Sequence, residues 1–439
     1  MSKSRPLSAE SWPKALLHVD GDSFFASCEQ AMQREYKGKP LVVGGERGIA
    51  TAMSQEAKAL GITRGMQNYK IKRAHPECII VPSDYETYSL FSQRMFAVVR
   101  RHTPTVEEYS IDECFADITG LRSKANRSYE EIAQSIKRDL EQDLGITFSM
   151  GLAPTKVVAK IATGWRKPAG FTAIKAKYIH HALERLEVGD IWGIGKQTAS
   201  LLVKLGVKSA LEFATKSEGW VESNLSKPYL EIWHELNGRS VMPVKTTKEL
   251  PQSINKSKTF TPPSKNRSYV FSQLSKNIEN ACIRMRRHDM YTDSIYIYLK
   301  TQDFNFSGKK LDLTVQVNNP NQILSIVRKH FSGIFREGQE YRATGVRFMN
   351  LVHRRVFQQD LFNQHVEVDK FSNLYSVIDG IDHKHGKHTV CLASSLEAIR
   401  GGNFVGERGI KPKRKLKENM LKGETERKRI SVPFLGKVR

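Results

Sequence analysis

The chain has 439 residues, 39% hydrophobic and 9% aromatic, which is too apolar for global disorder and too long for one ordinary domain. Its net charge of +23 points to a polyanionic partner, nucleic acid before membrane. No stretch approaches the roughly 18 apolar residues of a membrane span, and five scattered cysteines without a C-x-x-C pair argue against a disulfide framework and a zinc site, so a soluble cytoplasmic protein is expected.

After a polar leader, Ala15 to Val19 reads as a short buried strand that stops at Asp20. Helical periodicity follows through Phe24, Phe25, Cys28 and Met32, and Pro40 to Gly45 is a second strand closed by a glycine turn. Residues 51–75 read as helical and basic. A helix from Asp84 to His102 has Leu90, Phe91, Met95, Val98 and Val99 on one side. Val106 to Thr119 is a strand pair, Ser128 to Leu144 an amphipathic helix, Phe148 to Ala153 a strand, and Lys156 to Thr163 a helix. This β-α…β-β-α-β order predicts an open sheet with helices on one face. A mostly helical stretch spans 175–243, and Pro243 to Asn255 is a polar, lysine-rich linker. Beyond it, Asp293 to Lys300 and Leu311 to Val317 alternate as half-buried strands, and Tyr341 to Val352 is a third. With helices over 268–289 and 321–332 they predict a small separate α+β domain. The composition then turns polar and finally basic: thirteen Lys or Arg stand against four Asp or Glu between Arg400 and Arg439.

Asp20 stands where a buried strand ends, with Gly21 letting the backbone approach whatever Asp20 holds. Asp112 and Glu113 sit in an otherwise apolar strand, Tyr109 to Phe115. Acids on core strands are costly unless a cation compensates them, and hard carboxylate oxygens suit two Mg²⁺ ions. Adjacent strand residues face opposite ways, so both acids can serve one site only if the chain bends there or the ions lie past the strand end. The alternative for Glu113 is a surface position at a hairpin. Asp22 reads as a helix N-cap.

At these residues the sequence resembles the Y-family, or lesion-bypass, DNA polymerases. The matching stretches are Leu17-His18-Val19-Asp20-Gly21-Asp22-Ser23-Phe24-Phe25-Ala26-Ser27-Cys28-Glu29, Tyr109-Ser110-Ile111-Asp112-Glu113, Ala159-Lys160-Ile161-Ala162, Lys167-Pro168-Ala169-Gly170 and Trp192-Gly193-Ile194-Gly195, in the family's order and within roughly residues 15–395. The resemblance implies an α+β multidomain, right-hand fold. Its palm would be 15–24 and 83–174, its fingers 25–82, its thumb 175–243 and its little finger 254–355, with an extension over 356–439. It implies translesion DNA synthesis on primer–template DNA from deoxynucleoside triphosphates, with two Mg²⁺ ions held by Asp20, Asp112, Glu113 and the Gly21 carbonyl.

The nucleotide contacts that the resemblance implies are Phe24, Phe25, Lys58 and Lys167. Phe25 falls on the position whose ring excludes a ribose 2′-hydroxyl; its alternative is a core phenylalanine. Lys167 matches a palm lysine that meets the triphosphate. Lys58 stands where one branch has arginine, and Gln55 replaces that branch's tyrosine; both departures point towards the bacterial polymerase V catalytic subunit rather than polymerase IV.

The stretch from Asp190 to Lys196 resembles a helix-hairpin-helix, whose Gly193 and Gly195 bare backbone N–H groups beside Lys196 for a phosphate. In the second half Lys256, Lys258, Lys265, Arg267, Arg284, Arg286 and Arg287 are candidate phosphate contacts, and Arg347 matches the family's last strand. Gln358, Leu361 and Phe362 resemble the peptide with which bacterial bypass polymerases dock on the sliding clamp; the alternative is that Leu361 and Phe362 pack back on the preceding domain. Val432-Pro433-Phe434-Leu435 is a weaker second candidate, and Ser372 to Ser395 resembles the polymerase V C-terminal region, which makes an accessory subunit of that type a candidate partner there. Two rivals stand beside this reading: a palm-type nucleotide cyclase, which the hairpin and the basic second half disfavour, and a catalytically impaired DNA-binding module of the same fold, which the intact acids disfavour.

Overall fold

The computed structural model describes residues 11–45, 48–247, 249–353, 364–385 and 388–400. They form two compact units that divide near residue 249. The core of the first is a five-stranded sheet with strand order β5-β6-β1-β7-β8. Its strands are β1 (Leu16–Gly21), β5 (Val106–Glu108), β6 (Glu113–Asp117), β7 (Phe148–Ala153) and β8 (Phe171–Ala173); β2 to β4 belong to a smaller sheet. All neighbours are antiparallel except β7 and β8.

Strand alternation sorts the sheet into two faces. Leu17, Val19, Cys114, Ala116, Met150 and Leu152 share one core with the helices Tyr85–His102 and Tyr129–Leu144. Both helices begin as their sequences require: Asp84 accepts from the Thr87 N–H, and Ser128 and Glu131 form a reciprocal capping box. Leu90, expected inside, is 41% exposed, and Tyr88 and Phe96 fill the core instead.

The expectation of helices on one face is corrected. The helix Lys156–Trp165 lies on the opposite face, where the Thr163 hydroxyl bonds His18 Nδ1. Gly151 makes this possible: a Cβ there would stand 2.1 Å from the Ala159 carbonyl oxygen. The missing side chain is what the helix packs into, so hydrophobic patterning gives no sign of the second layer.

The smaller sheet, order β3-β2-β4, comprises β2 (Leu41–Val43), β3 (Ala52–Met53) and β4 (Ile79–Val81). Residues 51–75 are therefore not one helical stretch but a two-residue strand and two short helices, Gln55–Ala59 and Asn68–Ala74. Gly61 and Gly65, at φ 77° and 91°, turn the chain between them. From 175 to 243 the chain is helical in short pieces, packed around Ile191, Ile194, Leu202, Phe213 and Trp233.

The second unit is a four-stranded antiparallel sheet, order β11-β10-β12-β9. Here β9 is Ile254–Ser264, β10 Met290–Thr301, β11 Phe306–Val317 and β12 Tyr341–Met349, with the helices Arg267–Arg286 and Pro320–His330 sharing its core. Strand β9 escapes sequence patterning because it is an edge strand, mostly polar and carrying Pro262 and Pro263, which only an edge tolerates. Residues after 356 were read as an extension, yet the helix Gln364–His385 and the segment 388–400 pack on helix Arg267–Arg286. Arg286 grips Asp379, the Glu279 carboxylate accepts from the Leu392 N–H, and Ser272 Oγ accepts from the Ala398 N–H.

Candidate active site

Register brings two of the three acids together. Asp20 on β1 lies opposite Glu113 on β6 and Ser149 on β7, all on the face that carries helix Lys156–Trp165. Each carboxylate meets a lysine: Asp20 Oδ1 is 2.6 Å from Lys167 Nζ, and Glu113 Oε2 is 2.6 Å from Lys160 Nζ. Beneath them His18 is closed off, with Nε2 3.9 Å from Glu113 and no hydrogen-bond partner.

The two acids differ electrostatically. Burial raises the Asp20 carboxyl to about 6 despite the pull of Lys167, and the Glu113 charge adds to the rise. Burial opposes ionisation of Glu113 too, but His18 and Lys160 beside it outweigh that and hold it well below the usual carboxylate range. Of these two the ammonium does the work. At 3.9 Å the imidazole is beyond hydrogen-bond reach, and its own burial lowers it to about 4, so it is neutral.

Asp112 stands in the bend just before β6, so the two adjacent acids escape strict strand alternation. Its carbonyl accepts from the Gly21 N–H at 2.9 Å, tying the bend to the end of β1. Its carboxylate is turned to the Ser110 hydroxyl at 2.5 Å. Among the described residues no three His, Cys, Asp or Glu side chains converge as a ready-made metal site. The donor chemistry nevertheless fits divalent cations: hard carboxylate oxygens share one face, and lysine ammoniums supply the positive charge that they require.

Asp22 is not the helix cap. Ser23 takes that position, in a left-handed conformation without a side-chain cap bond. Asp22 is instead buried, accepting from Ser149 Oγ at 2.6 Å and from the Ala169 N–H at 2.7 Å. It thereby holds the turn that presents Lys167. Gly170 closes that turn, since a Cβ there would come within 1.9 Å of the Arg166 carbonyl oxygen.

The Phe24 side chain is buried in the core beneath Gly21, whose added Cβ would meet its ring at 2.7 Å, which leaves its backbone for a nucleotide. Phe25 is half-buried and stacks on Tyr88, 4.4 Å and 14° apart, with Tyr85 edge-on at 5.4 Å. The Tyr88 hydroxyl donates to Glu29 at 2.7 Å, which locks the ring that supports Phe25. Lys58 is exposed on the helix Gln55–Ala59, and Gln55 reaches the Ser23 hydroxyl at 3.2 Å.

Gly193, Gly195 and Lys196 are exposed and lead into the helix Lys196–Lys204, which has no side-chain cap. Gly193 has φ 96°, open to glycine, and its neighbours Ile191 and Ile194 are buried anchors. The helix before the hairpin is only Ile179–Leu183. Trp192 leaves the hairpin for the acids, its Nε1–H donating to the Tyr109 hydroxyl at 3.2 Å.

In the second unit Arg286 is corrected as a phosphate contact: its guanidinium is a two-pronged clamp on Asp379, with both N–O distances 2.7 Å. Arg267 donates to Ser332 at 2.6 Å and lies over Phe331. Arg347 remains exposed on β12. Gln358, Leu361 and Phe362, like Val432 to Leu435, lie outside the described residues.

Sequence reading missed the parts played by His18, Asp22, Tyr88, Lys160 and Trp192. The spacing of Lys156 and Lys160 was the one available signal: two cations one helical turn apart in an otherwise apolar helix.

Comparison with known proteins follows this geometry. Residues 19–164 match the impB/mucB/samB family, and residues 251–361 match the impB/mucB/samB family C-terminal domain. A protein of Desulfatibacillum aliphaticivorans named DNA polymerase IV is 29% identical over 392 residues, 89% of this chain and 98% of its own length. One of the same name from Clostridioides difficile strain 630 is 28% identical over 356 residues, 79% of this chain and 96% of its own. Among solved structures, the Y-family DNA polymerase chimera Dbh-Dpo4(243-245)-Dbh shares the fold at a TM-score of 0.65 and 24% identity, over 77% of this chain and 100% of its own. An insertion ternary complex of Dbh DNA polymerase gives a TM-score of 0.52 at the same identity and coverage.

Proposed function

This chain belongs to the Y-family of DNA polymerases, and from that premise we propose that it is a DNA-directed DNA polymerase performing translesion synthesis. The observation that carries the reading is the pair Asp20 and Glu113, opposite each other on one sheet face and each balanced by a lysine. In the reading, Asp20, Asp112, Glu113 and the Gly21 carbonyl hold two Mg²⁺ ions. Bound there, the ions supply activation of a primer 3′-hydroxyl and charge stabilisation of the leaving pyrophosphate.

The chain's own residues do the rest. Asp22 orients the turn that carries Lys167, whose ammonium would meet the triphosphate. Phe25, supported from below by Tyr88, presents its ring to C2′ of the incoming sugar. Exposed Lys58 meets the phosphates from the other side. The start of helix Lys196–Lys204 behind Gly195, bare of a side-chain cap, grips a DNA phosphate with Lys196 without reading bases, and Gly193 shapes the turn that leads to it.

The domain reading assigns the palm to 15–24 and 83–174, the fingers to 25–82, the thumb to 175–243 and the little finger to 254–355. Packing of the helix Gln364–His385 and of residues 388–400 on helix Arg267–Arg286 extends that last body in the proposal beyond residue 355. We place the clamp contact at Gln358, Leu361 and Phe362 and keep an accessory subunit of the polymerase V type as a partner for 372–395. The relatives above bear the polymerase IV name. Among the described residues no helix is long and apolar enough to cross a membrane, and five scattered cysteines without a C-x-x-C pair support the reading of a reducing cytoplasm.

Asp112→Ala tests the site by gel shift beside primer extension. Nucleotide incorporation disappears while primer–template binding persists; normal extension removes the assignment. Phe25→Ala raises ribonucleotide use by more than it lowers deoxynucleotide use, and unchanged sugar discrimination returns Phe25 to the core.

A further inference from the structure

Lys160 binds Glu113 at the position where a divalent cation must be admitted, and two aromatic rings stand beside it. Its Nζ lies 4.9 Å from the centre of the Tyr109 ring and 5.5 Å from that of Trp192, both within the roughly 6 Å reach of a cation–π contact. We infer that Trp192 is a positioning residue for Glu113: with Tyr109 it forms an aromatic cradle that takes up the Lys160 ammonium when a divalent cation claims the carboxylate. The inference rests on the proposed role of Glu113 as a metal ligand.

The physical argument concerns a competition. A partly buried ammonium held at 2.6 Å by a carboxylate resists leaving, because moving it away leaves a charge without a partner. The two rings remove that obstacle by offering the ammonium a second electronegative surface at almost the same position. Lysine suits the exchange, being a point charge on a flexible stem without the fixed fork of arginine.

The cradle is rigid. The Trp192 indole donates to the Tyr109 hydroxyl at 3.2 Å, and the two rings stand at 88° with centres 5.3 Å apart. Behind them Phe115 lies 5.6 Å from Trp192 and 4.6 Å from the His18 ring. Backbone anchors are equally firm, since Ile191 and Ile194 on either side of the Trp192–Gly193 pair are buried. A ring needed only for packing would have no reason to be aimed at a cation that neutralises a candidate metal ligand.

Mn²⁺ binding to the purified full chain, followed by electron paramagnetic resonance of the free ion without DNA, separates these roles. Trp192→Leu, which keeps apolar bulk but loses the ring, is expected to weaken Mn²⁺ about three- to tenfold, the fold-change of one half-exposed cation–π contact. Trp192→Phe, which keeps an aromatic face, restores most of the affinity. In a Lys160→Met background the Trp192→Leu loss disappears, because no ammonium is left to house. Wild-type affinity in Trp192→Leu, or an equal loss with and without Lys160, overturns the inference. Glu113→Gln is the control for the reading beneath it. If Glu113→Gln weakens Mn²⁺ and Trp192→Leu does not, the cradle alone fails; if Glu113→Gln leaves binding unchanged, the ligand assignment falls and the cradle with it.

Discussion

In the first unit Asp20 and Glu113 are each met by a lysine, while in the second Asp379 is met by Arg286. The lysines touch their acids through one nitrogen, and the Lys167 side chain is 41% exposed. The arginine closes on its acid through two nitrogens, is only 9% exposed, and spends a third donor on the Asn318 carbonyl. A single ammonium contact beside solvent can exchange for another cation, whereas a guanidinium fork with all three nitrogens engaged cannot. Similar charge chemistry thus lines the candidate active site in one region and docks a helix in the other.

Breaking one pair of each kind is the strongest test of that contrast. Glu113→Gln lowers nucleotide incorporation by about 10²–10³-fold or more, the scale set by loss of one directed electrostatic group. Its thermal unfolding midpoint falls, because the folded chain holds the Glu113 carboxyl low beside Lys160, but by less than that of Asp379→Ala. Primer extension and a melting curve check the two halves, and a large fall in the midpoint would place Glu113 with the structural pairs.

Asp379→Ala gives the reverse pattern. It destabilises the second unit by about 2–3 kcal/mol, below the 3–5 of fully buried pairs because Asp379 is 30% exposed. Denaturant titration measures this loss, and first-order extension at low temperature is retained. Loss of extension without loss of stability would contradict the division.

Arg286→Lys sharpens the comparison by converting the locked pair into the exchangeable kind. It costs about 1.5 kcal/mol, one charge-assisted hydrogen bond, in the same denaturant titration. No change in stability would mean that the fork geometry is immaterial.

The smallest effect concerns Asp20. Its carboxyl is raised from 3.8 to about 6 in the folded chain, so the folded state holds the proton more tightly than the unfolded one. The stability that this proton contributes is complete below pH 3.8 and is lost as pH rises towards about 6. Asp20→Asn keeps the neutral form at every pH. Without divalent ions at pH 7 its midpoint therefore rises by about 2–4 °C, the shift that about 1 kcal/mol gives in a unit of roughly 150–250 residues. Below pH 4 the difference from wild type closes. A midpoint lower than wild type at pH 7 would show that the Lys167 pair outweighs burial.

The sequence by itself determined the elements whose signal is local. Strand β1 ending at Asp20 and Gly21, the capped helices Tyr85–His102 and Tyr129–Leu144, and three of the four strands of the second sheet follow from apolar period and cap chemistry over a few neighbouring residues. Motif spacing likewise made Asp20, Asp112 and Glu113 visible as candidates, because acids interrupting apolar strands stand out against their neighbours. Tertiary structure decided what depends on residues far apart in the chain. Strand register put Asp20 opposite Glu113, the absent side chain of Gly151 admitted a helix on the second face, and Asp22 became a brace for Ala169 rather than a cap. The spacing of Lys160 from Lys156 marks it as unusual but names no partner, and Trp192 carries no such mark, since hydrogen bonds and ring contacts across 47 and 83 residues appear only once the chain has folded. Edge strand β9, polar and interrupted by proline, acquires its extended form from pairing with β12, a contact that no window of sequence contains.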